Sequence, residues 1–191
     1  MFLVYNNSKE NKGVKMDYDS LLTPYADDGR NIYTVNEIPM GSMLKVEFDR
    51  KRKLMVLDRV EPGIFAKPVN YGFIPGTLDE DGDALDTLFV TEEPIPTGVY
   101  SEAVVIGVLN FEDDGEMDHK IICVPADDRN TGNRIKSLED LGDQWKKQIE
   151  HHFTHYKDLK KPGSTKVLGF GGVEEAHKVI KECIERWESQ K

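Results

Sequence analysis

Between positions 79 and 86 the chain runs Asp79-Glu-Asp-Gly-Asp-Ala-Leu-Asp86, five carboxylates in eight residues around one glycine. Such crowding is electrostatically costly unless cations neutralise it. A second acidic run, Glu112-Asp-Asp-Gly-Glu-Met-Asp118, follows a long apolar stretch. Ligands that are all oxygen suit Mg²⁺, Mn²⁺ or Ca²⁺ rather than Zn²⁺. A single acidic run is most often a solvated turn, and this one is not an EF-hand. Aligning Asp79, Asp81 and Asp83 with the first three EF-hand ligands puts Ala84 where glycine is required and Val90 where the bidentate glutamate belongs.

A second kind of residue shifts the balance. Lys45, Arg59, Tyr71, Lys120, Tyr156 and Lys157 each fall at a strand end or in a conspicuous turn. Several divalent cations together with Lys, Arg and Tyr donors are what a polyanionic phosphate ligand calls for: metals neutralise bridging oxygens while cations and phenols hold terminal ones. Taken singly, each is ordinarily a salt-bridged surface cation or a half-buried phenol. Asp81 and Asp83 flank Gly82, whose permissive backbone lets both carboxylates face one side.

These groups need elements to hold them. Residues Ile32–Ile38, Leu44–Phe48 and Leu54–Val60 mix β-branched and aromatic residues with turn punctuation and read as strands. Further strands are expected at Leu85–Val90, Tyr100–Phe111 and Lys120–Val124, with Pro/Gly turns between them. Alternation puts Lys45 and Glu47 on one strand face. Adjacent strands at 85–90 and 100–111 would bring both acidic runs to one rim. The last third changes period: Leu138, Leu141, Trp145, Ile149, Phe153 and Tyr156 recur at helical spacing behind a capping box at Ser137–Asp140, and Ala176, Val179, Ile180, Cys183, Ile184 and Trp187 mark a second helix. Strands first and helices later read as α+β, a small barrel or curled sheet with helices packed outside.

At 191 residues the chain suits one domain, 17–191, behind a loose polar tail over 1–16 in which Met16 is a second candidate start. The 35 acidic residues against 25 basic ones leave a formal charge of -10, which argues against nucleic acid and against anionic membranes as partners. No run approaches the roughly 18 apolar residues of a membrane span. Two cysteines, Cys123 and Cys183, are too few for a disulfide framework and read as packed thiols in a reducing, cytoplasmic setting.

The acidic run and its neighbours resemble the single-domain barrel type of inorganic pyrophosphatase. The family's Asp-Gly-Asp-x-x-Asp run stands here as Asp81-Gly-Asp-Ala-Leu-Asp86. Around it, in family order, are Glu37-Ile-Pro39, Lys45-Val-Glu47, Asp58-Arg59, Asn70-Tyr-Gly-Phe-Ile-Pro75, Asp113, Asp118-x-Lys120 and His155-Tyr-Lys-Asp158. The likeness spans roughly residues 30 to 190. It implies a five-stranded OB-like barrel with two main flanking helices, and Mg²⁺-dependent hydrolysis of pyrophosphate to two phosphates. Several Mg²⁺ per site are implied, with Mn²⁺ as a substitute. Asp81, Asp86 and Asp118 would hold the first metal, with Asp86 bridging to a second; Asp113 and Asp118 would take a further ion, and Glu37 and Glu47 would line the same rim. Asp83 would be the general base toward a metal-activated water. Lys45, Arg59, Tyr71, Tyr156, Lys120 and Lys157 would bind pyrophosphate oxygens. Relatives are commonly hexamers, others dimers, so a homo-oligomer is expected, the hexamer favoured.

One departure stands out. Many relatives carry an aromatic residue just before Pro68 near the substrate; here it is Lys67, an extra cation that would either aid phosphate binding or be a solvated surface lysine, the second reading being favoured. His151, His152 and His155 lack the His-Glu-x-x-His order of a zinc site and read as surface or interface residues. The rival readings are a metal-dependent phosphohydrolase for nucleotides or polyphosphate, and a Ca²⁺-stabilised binding barrel without turnover. No phosphate-cradling glycine loop or nucleotide-reading motif favours the first.

Overall fold

The computed structural model describes residues 17–131 and 133–190; the expected tail over 1–16 and the start at Met16 lie outside the described residues. Among the described residues nine strands and three α-helices follow in order, with one 3-10 turn at Gly63–Phe65. They are α1 (Tyr18–Leu21), β1 (Ile32–Ile38), β2 (Leu44–Asp49), β3 (Leu54–Val60), β4 (Asn70–Phe73), β5 (Asp86–Phe89), β6 (Tyr100–Asp113), β7 (Glu116–Met117), β8 (Lys120–Pro125), α2 (Leu138–His155), β9 (Thr165–Gly171) and α3 (Val173–Glu188).

Five of these strands close a ring. β1 pairs β4, β4 pairs β5, β5 pairs β8, β8 pairs β6, and β6 returns to β1. Closure removes the free edges that a small sheet would expose. Every pairing in the ring is antiparallel except β5–β8, which is parallel. The 14-residue β6 makes closure feasible: its start pairs β1, its middle β8 and its end β9, with register shifts at Val105/Gly107 and Asn110/Phe111. The expected five-stranded barrel with two main helices is the observed fold.

Strand alternation sorts the apolar residues into two cores. Ile121 and Cys123 of β8 join Val105 and Val108 against Ala176, Val179, Ile180 and Cys183 of α3. Ile122 and Val124 join Ile106, Leu109 and Phe111 against Leu138, Ile149 and Phe153 of α2. Each fully buried Ile, Leu or Phe contributes about 1.5–3 kcal/mol relative to exposure. The Ser137–Asp140 capping box forms as expected, and α2 breaks at Gly142 before running on to His155.

β2 and β3 form a separate hairpin. It docks on the ring through Phe48, whose ring stacks on Phe73 of β4 at 5.6 Å while Tyr18 of α1 meets both edge-on. The Tyr18 hydroxyl donates to the Gly98 carbonyl at 2.9 Å.

β4 and β9 were not expected as strands. Asn70–Phe73 carries a glycine and looks like a turn; Gly72 is there because β1 crosses so closely. A Cβ at Gly72 would sit 2.0 Å from the Val35 carbonyl oxygen. Gly72→Ala is therefore expected to cost about 3 kcal/mol or more, read as a drop in the urea unfolding midpoint. An unchanged midpoint would refute the close approach. Among the described residues no helix is long and apolar enough to cross a membrane.

Candidate active site

One rim of the ring opens into a cavity of about 390 Å³. Six separate pieces of chain line it. The hairpin supplies Lys45 and Glu47 from β2 and Arg59 from β3, with Lys45 and Arg59 directly opposite in register. Glu37 stands near the end of β1 and Tyr71 on β4. Asp81, Asp83 and Asp86 come from the loop into β5, and Asp113 and Asp118 from the end of β6 and the turn before β8. Tyr156 and Lys157 follow the last turn of α2. Twelve of the thirteen expected site residues thus face one space.

The thirteenth, Lys120, lies beneath it. Its side chain is 1% exposed, and its ammonium donates to Asp86 and Asp118 at 2.7 Å each. Asp86 and Lys120 are register partners across β5 and β8. The two acidic runs do meet, but not through adjacent strands as expected: β8 lies between β5 and β6. A parallel strand returning between them delivers Asp118 and Lys120 beside Asp86.

The acidic wall is electrostatically loaded. Burial, reinforced by the neighbouring Asp86 charge, pushes Glu37 up to about 8, even though its carboxylate accepts the Phe48 N–H at 2.6 Å. Burial lifts Asp86 to about 7 against the pull of Lys120, and Tyr71 donates its hydroxyl to the same carboxylate. Burial with the charges of Asp118 and Asp83 nearby lifts Asp81 to about 6. Asp83 is exposed as a residue, but the crowded loop strips part of the water from its carboxylate, and that partial desolvation, with the Glu47 charge, raises it too. Gly82, at φ 90°, permits the reversal by which the Asp83 N–H reaches the Asp81 carboxylate at 3.0 Å.

The cations among these carboxylates are mostly spoken for. Lys45 pairs with Glu47, Arg59 with Asp58 and Glu61, and Lys157 with Asp113. Burial would depress the Lys120 ammonium, but Asp118 and Asp86 outweigh it and hold the pKa above the ordinary lysine value. The Tyr156 phenol, raised chiefly by burial, reaches Asp113 at 3.4 Å.

Two parts of the site escaped the sequence. Lys67 is not a solvated surface lysine: it is 8% exposed, lines the cavity, and stands 4.5 Å from the Tyr71 ring centroid and 5.0 Å from that of Tyr156. Burial, with the Lys120 charge behind it, pushes its pKa down to about 7. The chain folds it inward because its backbone is pinned to Ser42 and Gly41 on either side. Nothing in an isolated lysine before a proline signals this; only its nearness in sequence to Tyr71 pointed inward. Asp79 is the other. It belongs to the acidic run yet turns away from the cavity, 2% exposed, to accept the His119 N–H at 2.8 Å and meet the His119 ring. It fastens the Asp81–Asp86 loop to the Asp118 turn.

Of the remaining residues, Cys123 and Cys183 are buried thiols as expected. His151 and His155 lie ring to ring at 4.6 Å, and His155 meets Asp158 at 2.8 Å. His152 differs from the surface reading: half-buried, it stacks on Tyr156, and burial with Lys67 nearby drives its pKa down to about 3.

A closed five-stranded barrel whose open rim is lined by carboxylates interleaved with cations and phenols defines a class, the α+β barrels that process small polyanions. The family model for inorganic pyrophosphatase matches residues 34–188. An inorganic pyrophosphatase of Neisseria meningitidis serogroup B is 64% identical over 174 residues, 91% of this chain and 98% of its own. That of Haemophilus influenzae is 61% identical over 90% of this chain and 97% of its own. The crystal structure of an inorganic pyrophosphatase from Neisseria gonorrhoeae superposes with a TM-score of 0.88 at 64% identity, covering 90% of this chain and 99% of that one. The chain belongs to the inorganic pyrophosphatase family and is an inorganic diphosphatase, an enzyme hydrolysing the phosphoanhydride of pyrophosphate.

Proposed function

We propose that this hydrolysis depends on Mg²⁺, and that Asp83 is the general base that takes the proton of the attacking water. The observation that carries the reading is the wall chemistry of one cavity: mutually repelling carboxylates, interleaved with the cations and phenols that pair with them, line a space of about 390 Å³. Asp83 lines it with a pKa above the ordinary carboxylate value, which suits proton acceptance near neutrality. Lys45, Arg59, Tyr71, Tyr156 and Lys157 would bind and orient the pyrophosphate oxygens, and Lys120 adds its charge from beneath.

The donors fit a hard divalent cation. All are oxygens, and one buried oxygen of Asp113, Oδ1, has no hydrogen-bond partner although the other is engaged by Lys157. Among the described residues no three Asp, Glu, His or Cys side chains are already gathered to hold an ion. Holding an ion with three of them would draw together carboxylates that stand apart here, with waters and substrate phosphates completing the shell. Asp81, Asp86 and Asp118 would hold the first ion, Asp86 also a second; Asp113 and Asp118 would hold a further one, with Glu37 and Glu47 on the rim. When bound, the ions offset phosphate charge and make a coordinated water more acidic.

We further propose a cytoplasmic homo-oligomer, a hexamer rather than a dimer, in which residues 17–191 are one domain. The outward apolar side chains of the hairpin, Leu44, Leu54, Leu57 and Val60, support an interface; sedimentation velocity tests it.

Phosphate release is expected from pyrophosphate with Mg²⁺, with loss in EDTA and block by excess Ca²⁺. Preference for a nucleoside triphosphate would give the site another substrate. Metal-raised thermal stability without any turnover would make it a binding barrel.

A further inference from the structure

Lys67 is the exception among the cations of the cavity. Lys45, Arg59, Lys120 and Lys157 each have a carboxylate within ion-pair reach. Among the described residues, Lys67 has none within 4 Å of its ammonium. What surrounds it instead is aromatic: the rings of Tyr71, Tyr156 and Phe153, with centroids at 4.5, 5.0 and 5.4 Å. A buried ammonium without a counter-charge is unfavourable, and ring faces offset only part of that cost. The cavity it lines opens to solvent, so the missing anion has a way in.

We propose that Lys67 binds the substrate directly: an oxygen of pyrophosphate supplies the counter-charge that the fold withholds from this ammonium. The proposal rests on the reading of the cavity as the pyrophosphate site. The three rings hold the long side chain in one place before the anion arrives, so little side-chain freedom is lost on binding. They cannot compete with a phosphate oxygen, because a charge-assisted hydrogen bond is directional and stronger than contact with a ring face. Ion pairs already made within the protein must be shared or broken when the substrate enters; the Lys67 contact displaces no acidic partner. It therefore contributes to affinity out of proportion to one more positive charge at a rim.

The test is the binding of imidodiphosphate, a stable pyrophosphate analogue, to the whole protein with Mg²⁺, followed by titration calorimetry. K67M keeps the length and apolar stem of the side chain and removes the charge. It is expected to bind the analogue about tenfold more weakly or worse, the change that follows from losing one hydrogen bond to a charged group. Its ligand-free melting temperature should equal or exceed that of wild type, because an uncompensated buried cation is gone. A purely structural role would give the opposite pattern, with lower stability and unchanged affinity. K67R should recover most of the affinity, and K67Q serves if K67M does not fold. Analogue affinities of K67M and K67Q within about twofold of wild type would overturn the proposal. Wild-type hydrolysis is measured alongside. Binding without hydrolysis would sink the reading of the site but leave Lys67 to be judged on affinity, and wild type that binds no diphosphate would sink both.

Discussion

Asp83→Asn is expected to lower kcat for pyrophosphate by roughly 10²-fold or more while leaving the fold and most Mg²⁺ binding in place. The carboxamide matches the carboxylate in shape but accepts no proton. Asp83 is exposed on the cavity wall rather than packed, so little stability rests on its side chain. Its one contact with Asp81 is made by its backbone N–H, at 3.0 Å, and survives the change. The other carboxylates, Asp81, Asp86 and Asp118, are untouched. Steady-state kinetics beside a thermal melt and a Mg²⁺ titration separate the roles. Equal kcat in variant and wild type would mean that another group takes the proton. A collapse of metal binding would make Asp83 a ligand instead.

Lys120→Met is expected to produce the largest loss of stability at the site, about 3–5 kcal/mol in metal-free buffer. The ammonium is 1% exposed and joins Asp86 and Asp118 at 2.7 Å each. Removing it leaves two carboxylates facing each other across the β5–β8 pair, with burial already acting against the charge of Asp86. Methionine fills the volume, so the effect reports charge rather than a void. Added Mg²⁺ should return part of the loss in this variant and less in wild type, where Lys120 already provides a positive charge. Urea unfolding with and without Mg²⁺ measures both. A loss under about 1 kcal/mol would show that the lysine is not the link between the two acidic runs.

The carboxylates were legible in the sequence because crowding of like charge is conspicuous at any one position. Their partners were legible only as an ordered set, since Lys45 or Tyr156 alone looks like any surface lysine or half-buried phenol. Alternation pointed to strands in a small barrel or curled sheet, the closed five-stranded barrel came from the family resemblance, and β1, β2 and β3 appear with nearly the expected bounds. What sequence could not carry was long-range placement. Alternation in Lys120–Val124 does not reveal that the strand lies between β5 and β6, nor that it runs parallel to β5. β4 and β9 were hidden by their glycines: Gly72 answers to the close approach of β1, Gly169 stands at φ 128°, and a Cβ at Gly171 would meet Glu175 of α3. The favoured reading of Lys67 as solvated failed for a similar reason: burial of an isolated lysine is decided by Tyr71, Phe153 and Tyr156, and the last two come from α2 and its C-cap, far along the chain.

The parallel β5–β8 pair has a consequence for how the protein is made. Synthesis runs from the N-terminus, so the Asp79–Asp86 segment emerges well before Lys120, and Tyr156 and Lys157 later still. A parallel neighbour cannot be reached by a tight hairpin, and the whole of β6 must be laid down before β8 arrives. Through that interval the nascent chain carries its repelling carboxylates in water without the buried ammonium that later joins them. Closure of the ring and docking of α2 then assemble the walls in one late event, governed by contacts far apart along the chain. A chain released early, ending before residue 120, holds the most recognisable acidic run of the family without Lys120, Tyr156 and Lys157 and without the strand that closes the ring.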